Sequence, residues 1–342
     1  MSLIRPQYTE NLTDRFVRYG DLKPCTTAFI DARTPGSDRK ENFTIIGPGV
    51  AENPDQHIHI SLPHGFNIGG ARQPPHCVNS QHSHTTAEVF VVHTGTWEFR
   101  LGEHGEDAEI ILTPGDTISV PTGVFRGFEN VGATTGFLFA VLGGDDPGHV
   151  TWAPDVFDLA REHGLVLLEN GRLVDMRAGE RVPVNIKPQM PTTREQADRM
   201  RRMTTAEIAD CVARDCELSS VMVGGLNGPG VTEAAIIGPT SLAESLEAGK
   251  MKRLHGFHLR RLSFRPQAQT KLHSRTEEEV FFLQTGTLEI SSPSEKIVMN
   301  PGDIFTIPIG LPRMFTNSSE SETIAYVVRG SDAPAMAQEF PK

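Results

Sequence analysis

His82, His84 and Glu88 stand at positions i, i+2 and i+6. On a strand, side chains alternate between faces, so this even spacing puts all three on one side. If a turn intervenes, they can still converge from neighbouring strands. Two imidazole nitrogens and a carboxylate oxygen form a donor set for a divalent first-row metal such as Fe, Ni, Mn or Zn. Other histidines crowd the same stretch: His57, His59, His64, His76, His93 and His104. His57 and His59 form a second HxH, but no carboxylate follows at matching spacing, so these six read as surface or core-edge residues.

The elements that position this set belong to a duplication. A shift of 191 residues brings Ile45–Pro48 (IIGP) onto Ile236–Pro239, and His64-Gly65-Phe66 onto His255-Gly256-Phe257. The same shift brings VFVVHTGTWEF (89–99) onto VFFLQTGTLEI (280–290). Beyond that the shift is 187, and PGDTISVPTGVFRGFEN (114–130) falls on PGDIFTIPIGLPRMFTN (301–317). A four-residue length change, placed in the polar LGEHGEDAE stretch, therefore aligns about a hundred residues with themselves. Loops absorb such changes at least cost. Because His64 recurs as His255, a structural hydrogen bond is the simplest reason for it.

Each copy is rich in Val, Ile, Thr and Phe and punctuated by Gly and Pro, the texture of short strands in a sandwich or barrel. Between the copies the pattern turns helical. Asp155 to His163, closed by Gly164, reads as a short helix. Thr192 with Glu195, and Thr204 with Glu207, are spaced as capping boxes, so 194–217 is expected to form one or two helices. The expected organisation is all-β: an N-terminal barrel over 1–150, a helical connector over 151–230 and a C-terminal barrel over 231–342.

The 342 residues carry a net charge of -11, which argues against a nucleic-acid partner. No apolar run approaches membrane-spanning length, and MSLIRPQYTE lacks the apolar core of a secretory signal. The four cysteines form no CxxC or disulfide-like framework, which fits a cytoplasmic protein. Cys211 and Cys216 read as two small apolar residues rather than a redox pair. The expected partner is a small molecule.

HSHTTAEVFVVHTG (82–95) resembles the first motif of the cupin superfamily: HxH, three residues, Glu, six residues, Gly. GDTISVPTGVFRGFEN (115–130) resembles the second, except that Arg126 stands where the family has a fourth metal ligand, a His. The resemblance covers both repeats and implies two double-stranded β-helix barrels in tandem, a bicupin. It leaves two readings of Arg126. In one, His82, His84 and Glu88 form a facial triad with open positions, and Arg126 orients an anionic substrate through its planar fork. Glu88 and Arg126 are then the catalytic pair. In the other, Arg126 lies against Glu88 as an ion pair and its cation disfavours a metal.

The second copy reads HSRTEEEVFFLQTG (273–286), keeping His273 and Glu279 but placing Arg275 at the second His; Arg313 answers to Arg126. A guanidinium has no lone pair to give a metal, so no metal is expected there. Arg275 and Arg313 form either an ion-pair cluster with Glu279 or a pocket for an anionic substrate. In length and layout the chain resembles bicupin dioxygenases of the quercetinase and gentisate kind. That likeness implies a metal-dependent oxygenase working in the first barrel on a small phenolic, enolic or carboxylic acid, with Phe90, Trp97, Phe99 and Phe128 as candidate wall residues. A metal-assisted isomerase or lyase acting on a sugar or keto acid, and a non-catalytic binding protein, are the alternatives. The family also implies a homo-oligomer.

Overall fold

In the computed structural model, residues 11–220 and 228–340 are described. Strands dominate, as the β-branched and aromatic runs require. The first barrel is two antiparallel sheets packed face to face. The larger runs Val212–Ala213, Thr117–Val120, Glu88–Thr94, Gly136–Gly143, Phe66–Gln73, Glu41–Ile46, with Ile58–Ile60 added in parallel at its edge. The smaller runs Val150–Trp152, Val78–His84, Arg126–Asn130, Trp97–Leu101, Ala108–Leu112. Their inner faces meet where Phe90 contacts Phe99 and Phe128, with centroids 5.5 and 5.3 Å apart.

The second barrel repeats this topology. Its large sheet runs Phe16–Val17, Ile304–Ile307, Glu279–Thr285, Thr323–Gly330, Phe257–Phe264, Val231–Ile237, and its small one Lys296–Met299, Leu288–Ser291, Met314–Thr316. The register repeats as well. Glu88 lies opposite Val120 and Leu142, and Glu279 opposite Ile307 and Arg329. The length difference falls in the hairpin turn after Trp97–Leu101, where Gly102 takes a φ of 100°. In that turn Glu103 is paired with Arg194 and Asp107 with Arg202, both from the connector.

The connector departs from expectation in detail. The helix Pro154–Glu162 ends at His163 with Gly164 in the left-handed region (φ 83°), as the sequence suggests. The Thr204–Glu207 capping box forms. The other box is one residue later, Thr193 with Gln196, because the Thr192 hydroxyl donates instead to the Trp152 carbonyl at 2.7 Å. The expected one or two helices are three short ones, Arg194–Asp198, Thr205–Ala209 and Asp215–Ser220.

The boundaries also differ. Leu22–Leu218 forms one compact unit, so most of the connector packs with the first barrel. The segment ending at Asp21 forms the other unit together with Ser219 onward. Two equivalent arms account for this. Phe16 and Val17 pair with Phe305 and Ile304, while Val212 and Ala213 pair with Ile118 and Thr117. Each arm is pinned by one aspartate: the Tyr19 amide donates to Asp303 at 2.8 Å, and the Asp215 amide to Asp116 at 3.0 Å. The repeat thus begins earlier than the long motifs indicate, with FVR (16–18) answering VAR (212–214).

Candidate metal centre

Val78–His84 alternates its faces, so His82 and His84 point together into the first barrel, and Glu88 opens the facing strand to meet them. All three are buried, and their ligand atoms lie within 4.8 Å of one another. The His82 Nδ1–H donates to the Ser80 carbonyl at 2.7 Å, leaving the Nε2 lone pair free. His84 Nε2 stands 3.5 Å from Glu88 Oε1, and the buried His84 Nδ1 has no hydrogen-bond partner among the described residues. Burial holds both imidazoles well below the usual histidine range, reinforced by the Arg126 charge. They are therefore neutral, the protonation state a metal ligand needs.

Arg126 lies opposite His82 on the adjacent strand. Its backbone comes close because the next residue is glycine: a Cβ on Gly127 would lie 2.7 Å from the Asn79 carbonyl oxygen. The guanidinium is bonded through Nη2 to Glu88 Oε2, so the ion-pair reading describes its position. Glu88 Oε1 remains on the histidine side. Two neutral nitrogens and one anionic oxygen thus suit a divalent metal as a three-donor set, with the guanidinium in the fourth direction.

Behind His82 lies a polar support. The buried Lys40 ammonium pairs with Asp31 and donates to Asn79 at 2.8 Å, and the Asn79 amide reaches 3.4 Å from His82 Nδ1. Trp152 packs against His82 with ring centroids 5.4 Å apart, and its indole N–H donates to Glu52 at 2.6 Å. Burial pushes the Glu52 carboxyl up to about 8, against the hydrogen bonds from Trp152 and the Ile30 amide. None of Asp31, Lys40 or Glu52 was flagged by spacing, since their role depends on tertiary placement.

The donor set faces a cavity of about 70 Å³ in the first barrel, walled by Phe29, Phe43, Phe90, Phe128, Leu142 and Trp152. Phe90 and Phe128 are where the sequence places them. Trp97 and Phe99 are not in the wall: both are fully buried in the apolar core between the sheets. Arg126 is not in the wall either, because its fork is turned onto Glu88. His64 and His255 make the same structural contact, Nδ1 to the carbonyl two residues back, at 2.7 and 2.6 Å.

In the second barrel the equivalent space holds charge. Arg313 and Arg329 both bond Glu279, the latter through Nε at 2.7 Å, and Arg275 Nε lies 3.5 Å away. Arg275 and Arg260 share Glu244 at 3.0 and 2.7 Å, and Arg260 reaches Glu233 at 3.1 Å. Arg275 and Arg313 are thus engaged with glutamates, in the ion-pair arrangement, rather than turned into an open pocket. Burial opposes ionisation of Glu244, but the Arg260 hydrogen bond and the surrounding guanidiniums take it down to about 2. Burial, then the arginine charges, holds His258 at about 2 and His273 at about 4. Arg260, Arg329, Glu233 and Glu244 lie outside both motifs, although the repeat offsets align each with a first-barrel residue.

A two-barrel all-β protein with a candidate metal centre in one barrel is what fold and site together define. Residues 71–142 and 260–329 each match the cupin domain family, so the chain carries two cupin domains and is a bicupin. Oxalate decarboxylase from Lactobacillus farciminis, in a formate complex, aligns with a TM-score of 0.55 at 12% identity, covering 97% of this chain and 89% of that one. Oxalate decarboxylase from Bacillus subtilis at pH 4.6 aligns at 0.51 and 13% identity, over 94% and 77%. Salicylate 1,2-dioxygenase from Pseudoaminobacter salicylatoxidans aligns at 0.48 and 11% identity, over 78% and 72%. Likeness at these identities speaks for the fold alone. No curated protein matches the sequence. Among the described residues no helix is long and apolar enough to cross a membrane.

Proposed function

We propose that the first barrel is a metal-dependent oxygenase site for a small phenolic, enolic or carboxylic acid. The observation that carries this reading is the convergence of His82, His84 and Glu88 at an aromatic-walled cavity, with only three donors and the cavity side open. A divalent metal held there would supply Lewis acidity toward a substrate oxygen and access to dioxygen chemistry. The chain's own residues do the rest. Neutral His82 and His84 and the Oε1 of Glu88 would hold the ion, while Ser80 fixes the His82 tautomer. Arg126 acts through Glu88, keeping one carboxylate oxygen occupied and the other aimed at the histidines. Phe29, Phe43, Phe90, Phe128 and Trp152 hold a planar body and exclude water.

Elemental analysis of protein purified without chelator should find near one equivalent of metal, lost in His82→Ala/His84→Ala. Oxygen uptake with phenolic and keto acids should then depend on that metal. Less than about a tenth of an equivalent, with no rise in melting temperature on adding iron, manganese, nickel or zinc, would sink the proposal. A second reading, a metal-assisted lyase on a small keto or dicarboxylic acid, draws on the two decarboxylases named above. Carbon dioxide release without oxygen uptake would select it.

A further inference from the structure

The two barrels can be compared position by position, because strand pairings fix the equivalence independently of the motifs. Asn42 lies opposite Ala71, and Glu233 opposite Leu262. Gly69 lies opposite Ala140, and Arg260 opposite Val327. Leu142 lies opposite Glu88, and Arg329 opposite Glu279. Asn42, Gly69, His84 and Leu142 all line the first-barrel cavity. Their counterparts Glu233, Arg260, Arg275 and Arg329 all belong to the second-barrel network. Four wall positions of one barrel have become four charged members of the other.

The oxygen atoms are divided the same way. Arg126 takes one oxygen of Glu88, as Arg313 takes one of Glu279. The second oxygen of Glu279 is taken by Arg329 Nε at 2.7 Å, whereas the second oxygen of Glu88 stands beside His84. Leucine at position 142 thus leaves that oxygen clear of the guanidinium that Arg329 supplies in the second barrel.

We propose that Leu142, with Gly69, is the determinant that keeps the first barrel open, and that the substrate's body lies in the volume that Arg260 and Arg329 fill in the second. This deepens the proposed function and rests on it. The occupant is a planar, single-ring or short-chain acid, flat enough to lie against Gly69 and apolar along its face toward Leu142. Its polar end is directed at His82, His84 and Glu88.

Two substitutions separate the claims. Leu142→Arg brings a guanidinium to the second Glu88 oxygen, with Asn42 in place of the Glu233 that also faces Arg329, so its fold is checked by circular dichroism; it should lose metal affinity by more than the ~10–100-fold typical of outer-shell changes. Leu142→Phe fills the volume without charge. It should keep metal uptake but weaken binding of 2-hydroxybenzoate, followed by tryptophan fluorescence with Trp152 in the cavity wall, at least about tenfold. Ile111→Arg, an exposed position in the same barrel, should change neither. Metal binding by Leu142→Arg at wild-type affinity, or 2-hydroxybenzoate binding by Leu142→Phe at wild-type affinity, overturns the inference and leaves the metal reading standing. Failure of the wild type to take up iron, manganese, nickel or zinc removes both.

Discussion

Arg126 is the residue on which the first barrel turns. Its bond to Glu88 is buried on both sides, with the arginine 1% exposed. Removing one partner of such a pair leaves a charge without compensation, so Arg126→Ala should cost about 3–5 kcal/mol in denaturant unfolding of the first barrel. Arg126→His should act oppositely on the metal. It withdraws a cation and adds a third imidazole as a fourth ligand, which should tighten binding by at least about tenfold in a competitive titration. Unchanged affinity in Arg126→His would mean that the side chain does not reach the centre. His82, His84 and Glu88 were legible from sequence because metal ligation restricts residue type and strand geometry restricts spacing. Arg126 was legible only as a choice, since a motif slot fixes where a guanidinium starts and not which carboxylate it meets. Phe29, Asn42, Phe43 and Trp152 come to the wall from segments outside both motifs, and no local pattern marks them.

At the scale of elements, repetition was readable and charge placement was not. The strand register follows the hydrophobic alternation and one loop insertion, so both barrels could be read from sequence. The capping boxes show the limit: TTREQ offers two overlapping boxes, and the Trp152 carbonyl selects between them. The arginine network has a consequence for pH. His258 and His273 sit at about 2 and about 4 in the folded barrel, so below their ordinary value of 6.5 the unfolded chain takes up protons that the folded one refuses. Glu244, at about 2, acts in the same direction below 4.5. Stability contributed by the network is therefore complete above about pH 6.5 and lost progressively as pH falls toward 4 and then 2. Both tryptophans, Trp97 and Trp152, lie in the other unit. The far-UV circular dichroism transition that tryptophan emission does not report should therefore move to lower denaturant between pH 6.5 and 4, and a midpoint that holds over that range would contradict this.

For the whole molecule, the arms redraw what can be removed. The boundaries expected near residues 150 and 231 cut between sequence repeats, yet Phe16–Val17 completes a sheet whose other strands all come from the second repeat. Deleting residues 1–21 should therefore leave the tryptophan-monitored unfolding of the first barrel unchanged while lowering the midpoint of the second. A loss confined to the first barrel would contradict the pairing. The signal was present in the sequence, FVR against VAR, but three residues cannot be told from coincidence without the pairing that gives them a common partner.

Tyr19 and the Asp303 that receives its amide are 284 residues apart. At ribosomal speeds of ~5–20 residues per second, the arm waits on the order of 15 to 60 s for its partner strand to be made. Throughout that interval Phe16 and Val17 are an unpaired apolar strand tethered to a nascent chain. The opposite arm, Val212–Ala213, is made after its partner Thr117–Ile118 and can dock as soon as it emerges. The duplicated halves are thus equivalent in strand pairing and unequal in order of synthesis, since the arm of the second barrel cannot dock until Ile304 and Phe305 have been made.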